Sequence, residues 1–311
     1  MSGLTASAGH LLLVRHVTTY RYSEPVGLGE HRMMFRPRES HDLRLIRTEL
    51  QIAPRPTELR WVHDVFDNSV AIATFGDRTS DLRFDSTVLL EHLETPLPDY
   101  ALDAAARNYP FRYPDDERPD LVSALLRRYP EAEVDRWATR LLASTGSTDT
   151  VTLLQAISRG IREQFVYERR SEKGVQKPGE TLRRGRGSCR DFALFMIEAV
   201  RALGLAARFV SGYIFVPEMQ GATVGGGATH AWMQVYLPGA GWVDFDPTNS
   251  IVGNRNLIRV AVAWDPEQAL PLWGTYVGPA LAFRGMDVLV SVTEEQASSR
   301  PFREQRSPDD D

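Results

Sequence analysis

The stretch "GRGSCRDFALFMIEAVRALGLAARFVSGY", residues 185–213, constrains the fold of this chain more than any other. Gly185, Gly187 and Ser188 suit the start of a helix and not its interior. From Phe192 onward, Phe192, Met196, Ala199 and Leu203 recur at helical spacing and form one apolar face. Gly204 supplies a C-terminal stop, and "ARFVSGYIFV" reads as a strand leaving the helix. The pattern predicts a buried helix that hands the chain directly to a strand.

Cys189 falls in or just before the first turn of that helix. It is the only cysteine in 311 residues, which excludes an intrachain disulfide and fits a reducing compartment. At a helix start, unpaired N–H groups and the helix dipole favour a thiolate. The alternative is a small buried apolar side chain. A core filler belongs on the apolar face, however, and Cys189 sits between glycines and Arg190-Asp191.

Seven histidines occur, six of them at or before residue 92, and the remaining one is His230. The second half therefore holds one thiol and one imidazole, the minimal nucleophile-and-base unit. It offers too few soft or imidazole ligands for a zinc site, and no metal or other cofactor is expected. His230 opens an alternating strand, with Trp232, Gln234 and Tyr236 on its own face. "PGAG" supplies a turn and "WVDFD" the returning strand. A base of this kind needs a third group to orient it, and Asp244 and Asp246 are the two carboxylates on offer. A hairpin loop of Pro238-Gly239-Ala240 pairs Leu237 with Gly241. Asp246 is then one diagonal step from His230, at roughly 7–8 Å between backbones. Asp244 then pairs with Gln234, about 13–14 Å along the strand and out of reach. A four-residue loop would turn Asp246 to the other face. Asp246 is chosen, and Asp244 is assigned a solvated or salt-bridged role.

The rest of the chain divides by composition. Residues 11 to about 95 read as short strands. "DLRLIRTELQIAP" places Ile46, Thr48, Leu50 and Ile52 on one face, and "WVHDVFDNSVAIATF" reads as a hairpin turning at Asp67-Asn68-Ser69. "DLVSALLRRYP", "AEVDRWATRLLAS" and "DTVTLLQAISRGIREQF" read as helices, the last capped at Asp149 or Thr150. The domain reading is an antiparallel β-sandwich over 1–98, a catalytic core with a helical lead-in over 99–296, and a flexible tail over 297–311. A net charge of −5 without a basic stripe argues against a nucleic-acid partner. No window has the apolar length to cross a bilayer, and the first 16 residues lack a basic n-region. The expectation is a cytoplasmic protein with no membrane partner.

At these residues the chain resembles the transglutaminase-like superfamily, in its bacterial branch with a β-rich N-terminal domain. "GSCRDFALFMIEAVRALGLAARFVSGY" and "THAWMQVYLPGAGWVDFDPTN" carry the likeness, with "VRHVTTYRYSEPVGLGEHRMMFRPR" as a weaker third block. The resemblance puts the nucleophile on Cys189, the histidine on His230 and the aspartate on Asp246. The order Cys, His, Asp also resembles papain-like enzymes. It implies an α+β fold in which the cysteine helix packs on an antiparallel sheet carrying the other two residues. It also implies attack on a peptide or carboxamide carbonyl, a thioester, and acyl transfer to water or an amine. Hydrolysis of a protein or peptide substrate, as by a peptidase or amidase, ranks first, because crosslinking needs an amine site that resists water. Glutamine γ-glutamyl transfer ranks second, and a non-catalytic protein-binding module third. The Cys189 N–H is the expected oxyanion donor. Tyr167 is the candidate for a second donor, and a core aromatic at a helix end is the alternative for it. The glycine-rich "GATVGGGATH" is expected as a mobile loop beside the site. The calcium dependence of animal transglutaminases does not carry over, since no acidic ligand loop is apparent.

Overall fold

A computed structural model of the protein describes residues 9–93, 101–170, 174–217 and 228–295. The tail from 297, and all but the last three residues of "GATVGGGATH", lie outside the described residues. Strands β1 (His10–Met33), β2 (Leu43–Ala53), β3 (Glu58–His63), β4 (Ser69–Thr74) and β5 (Arg78–His92) form an antiparallel sheet in the order β2-β5-β1-β4-β3. β1 is long enough to serve both halves of it. Residues 10–21 pair with β5, and residues 31–33 pair with β4, with register shifts between. The sheet thus curls over on itself. Leu82 and Phe84 from one half meet Met33, Ala71 and Ala73 from the other in a single buried cluster, with the half-buried Leu50 and Ile52 packed against it.

Two expectations fail in this region. Ile46 does not share the inward face with Leu50 and Ile52, and is 53% exposed. The β2–β5 register shifts between Leu45 and Arg47, so Ile46 is the extra residue of a bulge and Leu45 turns inward instead. The C-terminal strands also do not stay with the second half. They pair antiparallel with β1, Leu272–Val277 along Gly27–Met33 and Phe283–Glu294 along Leu12–Tyr22. The first sheet is therefore built from both ends of the chain, and a boundary near 98 separates only one of its edges. The physical reason is β1 itself, whose second edge needs hydrogen-bond partners that residues 34–93 do not supply.

Between the sheets run α1 (Val122–Leu125), α2 (Ala132–Ser144), α3 (Thr150–Gln164), β6 (Val166–Tyr167), α4 (Pro178–Arg184), β7 (Arg186–Gly187) and α5 (Cys189–Ala202). Asp149 caps α3, accepting from the Thr152 N–H. The helix expected in "DLVSALLRRYP" lasts one turn. Beyond it the chain turns to the buried Glu198, which accepts from Arg127 Nε and the N–H groups of Arg128 and Tyr129.

Strands β8 (Ala207–Ile214), β9 (His230–Leu237), β10 (Gly241–Asp246), β11 (Ile251–Val252) and β12 (Leu257–Ala263) make the second sheet, ordered β11-β10-β9-β8-β12 and antiparallel throughout. Helix α5 lies on it. Phe192, Met196, Ala199 and Val200 join Ala207, Phe209, Ala231, Met233 and Val235 in the main core. The strands that follow, β13 (Leu272–Val277) and β14 (Phe283–Glu294), complete the first sheet. The sheets are locked together by an apolar layer of Leu12, Val14, Val88 and Leu90 against Tyr213, Ile258 and Val260. Buried bonds pin the joint: His16 Nδ1 to Tyr213 Oη at 3.0 Å, and Asn68 to both backbone groups of Val262.

Candidate active site

Helix α5 begins at Cys189, with Ser188 as the N-cap. Asp191, fully buried in the first turn, organises this start. Its Oδ2 accepts from the Ser188 N–H (2.8 Å) and hydroxyl (2.9 Å), and its Oδ1 accepts from Arg170 Nη1 (2.8 Å) and the Gln176 N–H (2.7 Å). Gly187 cannot carry a side chain here, since a Cβ would lie 2.9 Å from Asp191 Cβ. The rest of the helix is held by edge-to-face aromatics, with the Trp137 and Phe165 ring centres 4.8 and 5.0 Å from that of Phe195. Gly204 closes the helix in the left-handed region, at φ 80°. The thiol is thereby fixed at the head of a buried helix whose first N–H groups have no intrahelical acceptor.

The hairpin register is the three-residue one, with Leu237 opposite Gly241 and Gln234 opposite Asp244. His230 and Asp246 are both fully buried, and Nε2 of His230 lies 2.8 Å from Asp246 Oδ2. Nδ1 makes no hydrogen bond within ordinary geometry, and Cys189 is near enough to favour the charged form of the ring. Burial works against a charged imidazole, but the Asp246 carboxylate outweighs it, with help from Cys189, and His230 is pushed up to about 10. Asp246 shows the converse: burial disfavours its charge, yet His230, Asn249 and the Thr248 N–H hold it low. Asn249 Nδ2 donates to Asp246 Oδ2 at 2.8 Å, while the Thr248 N–H donates to Oδ1.

Cys189, His230 and Asp246 are therefore brought together, and Tyr167 lies beside them. The short β6–β7 pair sets Tyr167 opposite Gly187, two residues before the cysteine. Burial, and next the Cys189 charge, raise the Tyr167 hydroxyl above its ordinary range, so it stays a donor. Its ring also meets Phe192 edge-on, the contact that the packing alternative expects. Asp244 is salt-bridged as expected, to Arg259 at 3.2 Å, but is buried and not solvated. Its Oδ1 accepts from Trp232 Nε1 at 2.6 Å, and the Trp232 ring stacks on His230. Sequence reasoning missed Asp191, Gln176, Arg170, Asn249 and Trp232 as supports. A signal existed for two: Ser188 three residues before Asp191 resembles a capping box, and Asn249 closes an Asp-Pro turn. Among the described residues, no group of three or more His, Cys, Asp or Glu gathers as a metal site.

Residues 12–91 match the bacterial transglutaminase-like N-terminal region, and residues 137–247 match the transglutaminase-like superfamily core. The chain is 29% identical to an uncharacterized protein of Mycobacterium tuberculosis over 283 residues, covering 87% of this chain and 89% of the relative. An uncharacterized Mycobacterium leprae protein is 36% identical over 123 residues, 39% of this chain and 42% of the relative. A solved structure of a candidate cysteine protease from Cytophaga hutchinsonii superposes with a TM-score of 0.71 at 18% identity, over 95% of this chain and 94% of the other. That likeness speaks for the fold. With both family models together spanning more than half of its length, the chain belongs to the transglutaminase-like superfamily.

Proposed function

We propose that the protein is a cysteine-dependent hydrolase of peptide or carboxamide bonds, with Cys189 as nucleophile, His230 as base and Asp246 as its orienting carboxylate. Superfamily membership supports thiol-dependent catalysis in general. The observation that carries the finer reading is the 2.8 Å bond from His230 Nε2 to Asp246. It occupies one ring nitrogen and leaves Nδ1, otherwise unpartnered, for the thiol.

In this mechanism Nδ1 takes the thiol proton, and the imidazolium is held by Asp246. The thiolate adds to the carbonyl carbon. The developing oxyanion is met by the Cys189 N–H at the helix head and by the Tyr167 hydroxyl. Collapse expels the amine, which takes its proton from His230, and leaves a thioester on Cys189. Water, deprotonated by His230, then attacks the thioester and releases the acid and the thiol.

The test is mass spectrometry of the intact protein after exposure to a peptide library, followed by a glutaminyl peptide offered with a labelled primary amine. The expected result is an acyl adduct on Cys189, absent in Cys189→Ala, that decays to acid faster than it labels the amine. Amine incorporation exceeding hydrolysis would move the assignment to amine transfer. No adduct and no turnover with any peptide would leave a binding module as the better reading.

A further inference from the structure

A cleft of about 440 Å³ opens near the junction of the two sheets, with Arg38, Asp42, Arg208, Gln234, Trp242 and Arg259 in its wall. Gln234 lies four residues along β9 from His230, roughly 13–14 Å away, with the fully buried Trp232 between them. The cleft is therefore separate from the thiol.

Its three guanidiniums are not equivalent. Arg259 is shared between Asp42 at 2.7 Å and Asp244 at 3.2 Å. Those carboxylates are filled in turn, Asp42 by Asn254 and Asp244 by Trp232 and Gln234. Arg38 Nη1 donates to Phe66 O and Asn68 Oδ1. Arg208 is braced but not paired. Its Nε donates to Gln234 Oε1 at 2.8 Å, and its guanidinium carbon sits 4.1 Å over the centre of the Trp242 ring. Among the described residues, Nη1 and Nη2 have neither a hydrogen bond nor an ion pair. Burial, and then repulsion from Arg38 and Arg259, work against its charge, with only Asp244 favouring it from a distance. An apolar side chain of similar volume would cost the fold less.

We propose that this cleft binds a carboxylate monoanion, gripped by the two free terminal nitrogens of Arg208 with Arg38 beside it. The planar fork matches a carboxylate in bidentate fashion. Charge limits the valence: Asp42, Asp244 and Glu39 stand in the same wall as the three arginines, and Asp67 lies 4.0 Å from Arg38, so the cleft holds no excess of positive charge to meet a dianion. A phosphate dianion would bring twice the charge of a carboxylate against Glu39 in the same wall.

The test uses the full chain at constant ionic strength, titrating sodium acetate against sodium chloride and following Tm and binding heat. Wild type is expected to show a saturable acetate response. Arg208→Lys, which keeps charge but loses the fork, needs roughly tenfold more acetate, and Arg208→Leu shows no response. Alkylation of Cys189 proceeds alike in all three. Arg208→Leu removes an unpaired charge and is expected to fold; should it fail, Arg208→Lys carries the comparison. An N-acetyl dipeptide with a free C-terminus, set against its amide, separates the sources. Binding of the acid alone points to a chain terminus, and binding of acetate alone to a small carboxylate. Both outcomes uphold the site. A response equal in wild type and Arg208→Leu, inorganic phosphate binding tighter than acetate, or no saturable response to any of these carboxylates would overturn it.

Discussion

His16 in the first sheet and His230 in the second are hidden from water alike, at 2% and 1% exposure. His16 bonds only neutral groups, the hydroxyls of Tyr213 and Thr18. Burial is then unopposed and pushes it down to about 4. His230 faces Asp246 and Cys189, and is pushed up to about 10 against the same burial. One ring is a neutral strut between two sheets, and the other is held ready to carry charge. Desolvation alone makes a buried histidine inert, and a single buried carboxylate reverses the sign.

The comparison breaks most directly by removing each ring. His230→Gln should lower turnover by about 10²–10⁴-fold, as expected for loss of a general base. His16→Gln should leave turnover within a few-fold and cost about 1–3 kcal/mol of stability through its buried partners. Steady-state rates and urea titrations on the same preparations check both. An active His230→Gln protein would sink the proposed mechanism.

Asp246→Asn tests whether the carboxylate is what distinguishes the two rings. The variant keeps the shape and loses the charge. His230 should then shift downward, in the direction of His16, as followed by NMR titration of the ring protons. Turnover should fall by about 10²-fold or more. A His230 titration that does not move would show that Asp246 is not the cause.

The centre of this site was legible in the sequence because each step had few choices. One thiol at a helix start, one histidine downstream and an odd-numbered hairpin loop together selected Cys189, His230 and Asp246. Their supports were harder to read. Arg170 and Gln176 reach Asp191 from irregular chain, where no periodicity marks a residue as inward. Trp232 reads as one more strand aromatic until Asp244 is seen to hold its indole N–H. In the fold, alternation located the strands but not their partners. The pairing of β14 with β1 joins residues nearly a whole chain apart, and the bulge at Ile46 is a register event that alternation does not encode.

Tyrosines sharpen the same contrast at smaller amplitude. Tyr213 bonds His16 and is wholly buried, whereas Tyr167 stands beside Cys189. Tyr167→Phe should lower kcat by roughly 10²-fold with little change in stability, the size of one lost oxyanion donor. Tyr213→Phe should do the reverse, costing about 1 kcal/mol with turnover intact. If both variants lose only stability, Tyr167 is a core aromatic and the second donor lies elsewhere.

The pH dependence of stability should separate the two histidines without touching turnover. His16 is lowered from 6.5 to about 4, so between these values the unfolded chain binds the extra proton and stability falls as pH falls. The full effect is on the order of 3 kcal/mol, and the lowered His31 adds in the same direction. His230 is raised from 6.5 to about 10. Its contribution is complete below 6.5 and is lost as pH rises through about 10. Urea unfolding of wild type against His16→Gln should therefore show the acid-side slope between pH 6.5 and 4 flattened in the variant, with the alkaline slope unchanged. Asp246→Asn should flatten the alkaline slope and leave the His16 slope in place. Parallel curves for wild type and His16→Gln on the acid side would mean that His16 takes up its proton without unfolding, and that the joint between the sheets tolerates a charge.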